Sequence, residues 1–367
     1  MKKIVIIYSA LLIGSFSLSA MQQTAAKNHG AINYQNHEER IKKMENHLQL
    51  DNRYYDHLSS YSANMFLNAE CLYWTAENEG FQIGFNFPKG EDNFLELTSL
   101  ERAFHYGPGF RIGLGYKPHI DWDLYLSYTY FHHTSKDKFS GDIYPYGIGI
   151  QGRIAHIESS LKIKYDILDL ELGRFFHVGQ TLSLRPHIGL IGGWIKQIGT
   201  NRGSGLIDES PDPLQPFPPI YVNYHEKIWL IGPRAGFDLE LFFSKNYGFS
   251  LYGSLSGALV YENINYNRIA TSSTQTGGIH STINSATKNK DELVGTLQSS
   301  IGLSWGDFLT DSEDVALNIR AGWECNIWFD QYTPNDLVVY EKGAYSVMDI
   351  TENLVLQGFV LSTRIDF

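Results

Sequence analysis

The chain has 367 residues, of which 43% are hydrophobic and 19% charged, and its formal net charge is −11. A disordered chain would combine low hydrophobicity with high net charge, and a nucleic-acid-binding protein would carry basic patches, so both classes are excluded. No internal stretch reaches the roughly 18–20 unbroken apolar residues of a spanning helix, which excludes a helical membrane bundle. The 34 glycines and 14% aromatic residues instead favour many strands joined by tight turns.

Residues 1–20 are a predicted signal peptide. Lys2 and Lys3 precede an apolar run, Ile4 to Phe16, and small residues follow at Ser17 to Ala20. An N-terminal membrane anchor is the alternative, but the apolar run is short for that. Residues 21–64 are polar and are predicted to form a periplasmic N-terminal extension. Residues 65–367 are predicted to form the folded domain.

From Met65 onward, apolar residues recur at every second position. Around residue 111, for instance, Phe110 and Ile112 alternate with Arg111 and Gly113. Strand side chains point to opposite faces with a period of two, so this pattern predicts strands with one apolar face. The predicted strands are Met65–Ala76, His105–Lys117, Trp122–His133, Ser159–Phe176, Leu182–Gln197, Lys227–Phe243, Gly248–Glu262, Glu292–Trp305, Val315–Phe329 and Asn353–Phe367.

A soluble β-sandwich and a transmembrane β-barrel share this alternation, and three features favour the barrel. Most of the predicted strands match the roughly 9–11 residues that a strand needs to cross a bilayer, rather than the 5–6 of soluble strands. The connections alternate between long and short, as external loops and periplasmic turns do, which puts both termini in the periplasm. The chain also ends on Phe367, and a terminal aromatic residue is typical of bacterial outer-membrane barrels.

We therefore predict an all-β fold: a transmembrane antiparallel β-barrel of about 10 strands, with long extracellular loops and short periplasmic turns. A closed barrel also leaves no unpaired strand edge in lipid. Stretches within the long loops would raise the count to about 12–16 if they joined the barrel. These stretches are Phe81–Phe87, Tyr146–Ile154 and Ile220–His225.

One predicted strand does not keep a single apolar face. Within residues 161–172 the apolar phase shifts by one position at Ile167–Leu168. A β-bulge there would restore the phase. Alternatively, the end that carries Lys162 and Lys164 projects beyond the membrane, and the sequence leaves both interpretations open.

Aromatic residues near the strand ends are predicted to form the interfacial girdles that flank the lipid-facing band of such barrels. Any one of them could equally be an ordinary core residue, so the prediction rests on the set. The set is Tyr116, Trp122, Tyr130, Trp194, Trp229, Tyr261, Trp305 and Trp328.

The predicted strands carry five short stretches with a recognisable order. They are Glu70-Cys71-Leu72-Tyr73-Trp74, Asp169-Leu170-Glu171-Leu172-Gly173, Arg185-Pro186-His187-Ile188-Gly189, Gly232-Pro233-Arg234-Ala235-Gly236, and Gly322-Trp323-Glu324 with Trp328. With the terminal aromatic residue, they resemble the Legionella-type and chlamydial major-outer-membrane-protein-like porins over about residues 65–367. The resemblance implies an abundant protein of the bacterial outer membrane with a porin role, and it brings no catalytic residues. A cysteine-rich, disulfide-linked envelope is associated with some chlamydial relatives, and this chain departs from that with its two cysteines.

The inward face of the predicted strands carries charges of both signs. We predict a pore for passive diffusion of small hydrophilic solutes and ions, with weak ion selectivity. The alternative is a set of mutually paired charges that fill a narrow barrel, leaving a structural outer-membrane protein or a surface adhesin. Barrels of about eight strands hold only side chains, whereas 16–18 strands leave a channel, so about ten is near the small limit. The predicted pore-lining residues are Glu70, Arg111, Asp123, Arg185, Arg234, Asp238, Glu240, Arg320, Glu324 and Arg364, with His187 and Asp366 also facing inward.

The rival class is an enzyme, because some ten-stranded outer-membrane barrels are proteases with acidic and His residues at the outer rim. His132, His133 and Asp137 lie near one predicted outer strand end, and His156 and Glu158 near the next. A His base beside a carboxylate would be a start. No nucleophile elbow, P-loop or dinucleotide fingerprint accompanies them. We therefore predict no catalytic residue, no metal site and no cofactor.

The predicted partners are outer-membrane lipids, the barrel-assembly machinery and small hydrophilic solutes, with no nucleic acid. A homo-oligomer stays open, because nothing in the sequence identifies a subunit interface. The Pro-rich stretch Pro211–Pro219 and the Ser/Thr/Gly-rich stretch Ala270–Thr287 fall in long loops. Such loops suit contact with a host or a phage.

The two cysteines, Cys71 and Cys325, fall on the first and ninth predicted strands, with the last strand between them. Next-but-one strands are roughly 9–10 Å apart, beyond the roughly 7 Å between Cα atoms that a disulfide tolerates. We predict no intramolecular bridge between them.

Overall fold

The computed structural model describes part of the chain, and the signal peptide and N-terminal extension predicted above lie outside it. Among the described residues, no helix is both long enough and apolar enough to cross a bilayer. The described residues are 64–77, 82–87, 98–101, 104–119, 121–145, 153–179, 181–206, 219–243, 248–273, 280–309, 315–332, 337–341, 344–348 and 351–367.

The described residues form strands throughout. In chain order they are β1 (Met65–Glu77), β2 (Gln82–Phe87), β3 (Thr98–Glu101), β4 (Gly107–His119), β5 (Trp122–Pro145), β6 (Ile154–Arg174), β7 (Phe176–Val178), β8 (Leu182–Leu206), β9 (Ile220–Phe242), β10 (Phe249–Ser273), β11 (His280–Phe308), β12 (Ala316–Tyr332), β13 (Leu337–Glu341), β14 (Ala344–Met348) and β15 (Thr351–Asp366).

Ten of these strands close into an antiparallel barrel in the order β1, β4, β5, β6, β8, β9, β10, β11, β12 and β15. The first and last strands pair directly, from Phe66 opposite Asp366 to Glu77 opposite Val355. At the end of this seam, the backbone N–H of Phe367 donates to the carbonyl of Met65 at 3.0 Å. The predicted antiparallel barrel of about ten strands is confirmed.

The remaining strands do not enlarge the barrel. β2 and β3 form a hairpin attached to the far end of β5, β7 pairs with β8, and β13 pairs with β14 as a separate hairpin. Within the predicted stretch Phe81–Phe87, residues Gln82–Phe87 therefore form a strand that the barrel does not include. Ile220–His225 is the beginning of β9, and most of Tyr146–Ile154 lies outside the described residues.

The barrel is taller on one side of its circumference. β1, β4, β12 and β15 have 13 to 17 residues, whereas β5, β6 and β8 to β11 have 21 to 29. A strand needs roughly 9–11 residues to cross a bilayer. Because the extra residues lie at the ends joined by the long loops, the six long strands extend the barrel wall on the extracellular side.

β6 exchanges the polarity of its two faces half-way along. Between residues 168 and 172 the leucines point outward and are exposed, and Asp169 and Glu171 point inward and are buried. Between residues 161 and 167 the inward side chains are apolar and at most 5% exposed, while Lys162 and Lys164 point outward. The pairing with β5 and β8 has no register shift at this point. The β-bulge predicted as one alternative at Ile167–Leu168 is therefore wrong. The phase shift arises because one continuous strand passes from the lipid-facing band to a part of the wall with a polar outer face.

A similar exchange is seen on β9 and β10, and on β5 and β8 the outward residues likewise become mainly polar. We call residues 131–145, 154–167, 195–206, 220–228, 262–273 and 280–292 the outer half, and the rest of the ten barrel strands the membrane half. In the outer half the buried inward residues are mainly Ile, Val, Phe and Tyr. In the membrane half most of the exposed large apolar side chains point outward, as in a barrel surrounded by lipid. They include Leu67, Ile112, Leu126, Leu170, Leu190, Ile231, Leu239, Leu259, Ile301 and Leu361.

The predicted aromatic girdles are present with one correction. Seven of the eight side chains point away from the barrel interior, and Trp194 and Trp229 are 52% and 41% exposed. Trp328 was predicted wrongly, since it points inward and is 1% exposed. Alternation could not determine the direction of the Trp328 side chain, because a tryptophan at a strand end occurs both in girdles and in packed interiors.

Candidate functional site

The ten residues predicted to line a pore all point into the membrane half of the barrel. Nine of them border one cavity of about 200 Å³, which Asn68, Tyr125 and Ser300 also border. The tenth, Arg234, borders a much smaller cavity of about 10 Å³ next to it. The interior of the membrane half is therefore the candidate site, and its chemistry depends on how these charges are partnered.

Arg111 of β4 lies between two carboxylates. Its terminal nitrogens are 2.7 Å from Glu70 Oε2 of β1 and 2.8 Å from Glu324 Oε1 of β12. Its Nε donates to Thr129 Oγ1 at 2.8 Å. The three charged side chains are at most 13% exposed. Charges removed from water are stable only with partners of this kind, so Arg111 holds β1, β4 and β12 together.

A chain of hydrogen bonds continues from this cluster across the barrel. Gln298 of β11 donates to Glu324 Oε1 at 2.6 Å, and its own carbonyl oxygen accepts from Arg234 of β9. Arg234 also donates to Asp169 Oδ1 of β6 at 2.7 Å. The chain of hydrogen bonds thus links β12 to β6 through the interior.

Arg185 of β8 is the centre of a second cluster. Its terminal nitrogens lie 2.8 Å from Asp123 Oδ1 of β5, 2.7 Å from Asp238 Oδ2 of β9 and 3.3 Å from Glu171 Oε2 of β6. The His187 ring nitrogens are 3.7 and 3.8 Å from oxygens of Asp238 and Glu171. One arginine therefore compensates three carboxylates on three strands.

The periplasmic end of the interior carries further ion pairs. Lys117 Nζ lies 3.0 Å from Asp366 Oδ1, and Arg364 lies 2.7 Å from the same oxygen. Arg320 is 3.2 Å from Glu240. Each of the ten predicted pore-lining residues is thereby paired with an opposite charge on the interior face.

Three charged residues of these clusters were not predicted. Asp169 and Glu171 were missed because the phase shift in β6 hid which face they share, although they alternate with outward Leu170 and Leu172. Lys117 ends the odd-numbered inward series of β4, so alternation alone could have found it.

An apolar layer lies beyond the charged clusters and crosses the whole barrel. Trp74 of β1 contacts Phe131 of β5 and Tyr165 of β6, with ring centroids 5.7 and 6.2 Å apart. Tyr165 contacts Trp328 of β12 at 6.0 Å. β6 and β12 are five strands apart in the ten-stranded ring, so this contact spans the full width of the interior.

The packing of this layer is close. Its buried cluster takes side chains from nine of the ten barrel strands. The gap between it and the charged clusters, which Arg111, Tyr165 and Trp328 border, is about 10 Å³. That is about the smallest space that holds one water molecule. The layer is therefore packed like a protein interior rather than like the constriction of an aqueous pore.

Polar side chains of the outer half are also removed from solvent. Glu226 and Glu262 are 0% exposed, and Gln331 donates to both carboxylate oxygens of Glu262 at 2.9 and 3.0 Å. Glu292 pairs with Lys290. Within the described part of the chain, no group of three His, Cys, Asp or Glu side chains is placed to hold a metal ion. Buried polar side chains are thus present in the outer half as well.

A family model of the Legionella pneumophila major outer membrane protein precursor matches residues 60–367. The chain belongs to the Legionella major outer membrane protein family. This confirms the resemblance read from the sequence and the placement in the bacterial outer membrane. No curated protein matches the chain significantly.

Solved outer-membrane structures are similar to this family member at low identity. The outer membrane protease OmpT of Escherichia coli is 10% identical, with a TM-score of 0.41 over 83% of this chain and 96% of that one. A FadL homologue of Pseudomonas aeruginosa is 9% identical, with a TM-score of 0.29 over 83% and 91%. The translocator domain of the autotransporter NalP from Neisseria meningitidis is 10% identical, with a TM-score of 0.28 over 90% and 98%.

The histidines and carboxylates of the outer rim that were considered for catalysis have separate partners in this protein and do not form one cluster. His132 lies on the outer face, 2.8 Å from Asp166, whereas the adjacent His133 points inward and packs against Phe104. His156 bonds Ser140, and Glu158 pairs with Lys138.

The cysteines of this family member lie where the sequence predicted them. Cys71 is on β1 and Cys325 on β12, with β15 between these strands. Both are free thiols. Cys71 is exposed on the outer face of the membrane half and so faces lipid.

Proposed function

We propose that the protein is a closed outer-membrane barrel that reinforces the membrane and presents a tall β-wall with its loops to the outside. The apolar layer, with Tyr165 and Trp328 in contact across the barrel, is the observation that carries this proposal. An ion in this layer would lose its hydration shell without gaining a polar partner, which costs many kcal/mol. Passive diffusion through the barrel is therefore the less favoured function.

The state of the charged residues supports the same conclusion. The interior arginines are engaged by carboxylates at 2.7 to 3.2 Å, and the chain from Arg111 to Asp169 crosses the interior. A barrel of about ten strands has little room beyond its own side chains, whereas 16–18 strands leave a channel. The charges then act as internal braces between strands rather than as an ion path.

The outer half supports a role at the cell surface. Six strands continue past the membrane half, and five of them bury apolar side chains in the interior there, which makes a stiff support for the loops that connect them. A support of this kind holds loops at a fixed height above the membrane, where they meet other molecules. The proposal involves no catalytic step and no cofactor.

Single-channel recording tests the proposal. The refolded mature protein in a planar bilayer is expected to give no stable conductance steps. Tyr165→Ala/Trp328→Ala removes two large rings from the apolar layer and is expected to produce conductance above the wild-type level. The matched control Tyr73→Ala/Trp194→Ala removes two exposed outward rings and should stay silent. Stable wild-type steps that scale with salt would overturn the proposal.

A passive pore is the second candidate, and the cavity of about 200 Å³ in the membrane half favours it. A water molecule takes about 30 Å³ in the liquid, so this space holds several. An outer half that opened would join that cavity to the outside. The recording described above decides between the two candidates, and the reversal potential would then give the ion selectivity of the pore.

A further inference from the structure

Three lysines form a row on the outer surface of the barrel. Lys164 of β6 is opposite Lys196 of β8, and Lys196 is opposite Lys227 of β9. All three point away from the barrel interior. Adjacent strands are about 4.8 Å apart, so the row extends over roughly 10 Å. We call these three residues the lysine row.

The lysine row lies at the edge of the lipid-facing band. Asp166, Trp194 and Trp229 form a parallel row on the same three strands, two positions closer to the membrane. The two tryptophans are exposed and belong to the outer aromatic girdle, which marks the membrane–water interface. Two residues of strand rise by about 6.6 Å, which is the depth of lipid headgroups beyond that interface.

No carboxylate of the described residues serves the row as a counter-ion. Among the described residues, none of its three ammonium groups forms a salt bridge or a hydrogen bond with a side chain. Asp166, two residues along β6, is engaged by Tyr128 and His132, each at 2.8 Å. Like charges directly opposite one another on neighbouring strands are destabilising. In a chain whose net charge is −11, this local excess of positive charge needs a specific cause.

We propose that the lysine row binds the phosphate groups of phosphorylated lipids in the outer leaflet of the outer membrane. Lysine is an established phosphate ligand through its compact ammonium charge. Lipid phosphates at headgroup depth bring negative charge to the level of the barrel where these three ammonium groups lie side by side. The proposal requires the position of the membrane, which the family and the girdle give, and it does not depend on whether the barrel conducts.

Binding of defined lipids to the purified protein in detergent tests the proposal. The probes are bis-phosphorylated lipid A, mono-phosphorylated lipid A and a phosphate-free glycolipid with the same acyl chains, and the measurement is lipid retention by native mass spectrometry. Affinity is expected to fall by tenfold or more from the first probe to the last. Equal affinity for all three lipids overturns the proposal without the need for any variant.

Variants locate the site. K164Q/K196Q/K227Q is expected to lose at least tenfold in affinity for bis-phosphorylated lipid A, and K164R/K196R/K227R should restore it. K136Q/K138Q/R202Q removes three positive charges higher on the same outer wall and should bind like the wild type. An equal loss in this control would mean that overall charge, and not the row, attracts the lipid, which contradicts the proposal.

Inorganic phosphate separates the lipid from a free anion. At the phosphate concentration of the lipid experiment it is expected to leave the thermal unfolding temperature unchanged, while bis-phosphorylated lipid A raises that temperature. An equal rise with inorganic phosphate would assign the row to free phosphate and overturn the lipid proposal.

Discussion

The membrane half and the outer half of the barrel are made from the same strands, yet their faces have opposite polarity. After Ile167 on β6, towards the periplasm, leucines point outward and carboxylates point inward. Before Ile167, towards the cell surface, lysines point outward and apolar residues point inward. The strand geometry is the same in both halves, so the solvent outside the wall determines which residue type each face carries. One half is a membrane barrel of ten strands, and the other is a wall of six of those strands with water on its outer face.

The largest loss of stability is expected from breaking the buried ion pairs that fill the interior of the membrane half. Arg111→Met leaves Glu70 and Glu324 buried without a counter-charge, which typically costs about 3–5 kcal/mol. Urea unfolding of the protein in lipid vesicles measures the loss. Arg174→Met removes a half-exposed arginine at the periplasmic end and is the control, with an expected loss below about 1 kcal/mol.

A second variant distinguishes the lost pairs from general damage to packing. Glu70→Gln/Arg111→Met/Glu324→Gln removes the uncompensated charges together and should regain most of the stability lost in Arg111→Met. If the triple variant were no more stable than the single one, the pairing argument for the membrane half would fail.

An intermediate effect is expected from a charge placed in the lipid-facing band. Leu170 of β6 points outward between Leu168 and Leu172. Leu170→Lys should destabilise the barrel by about 2–4 kcal/mol in lipid vesicles, as charges do near the bilayer midplane. In a detergent of short chain length, which adapts to the surface, the loss should shrink. A loss that is the same in both media would contradict a lipid-facing position.

The smallest effect is expected from the opposite change on the same face of the same strand. Lys162 points outward in the outer half, where water surrounds the wall. Lys162→Leu should change the stability by no more than about 0.5 kcal/mol, as surface substitutions usually do. If Lys162→Leu clearly gained stability in vesicles but not in detergent, the lipid-facing band would reach Lys162. The boundary between the two halves on β6 would then lie closer to the cell surface than Ile167.

The membrane half could be predicted from the sequence almost completely. Arg111, Arg185 and Arg234 alternate with apolar or small neighbours, and in a strand this spacing determines which side of the wall each residue faces. The short turns determine which strand follows which. The pairing partners could not be predicted in the same way, because Arg111 meets Glu324 on a strand that is distant in the sequence.

The outer half could be predicted only in part. Alternation gives the same pattern for apolar-out and apolar-in walls, so a strand that passes from one to the other shows only a phase shift, as at Ile167–Leu168. The layer containing Trp74, Tyr165 and Trp328 depends on contacts across the barrel between strands that are not neighbours. No local pattern encodes such contacts, and for this reason Trp328 was assigned to a girdle.

The seam between β1 and β15 has a consequence for how the protein is made. Phe66 pairs with Asp366, 300 positions later, so the first strand has no partner on that side until synthesis of the chain is finished. Contacts between such distant residues form slowly, because a long loop of chain must close before they exist. During that time both edge strands present open backbone groups to any other strand. The chain therefore requires protection between its export and its insertion, and a truncation of β15 should produce aggregation rather than a smaller barrel.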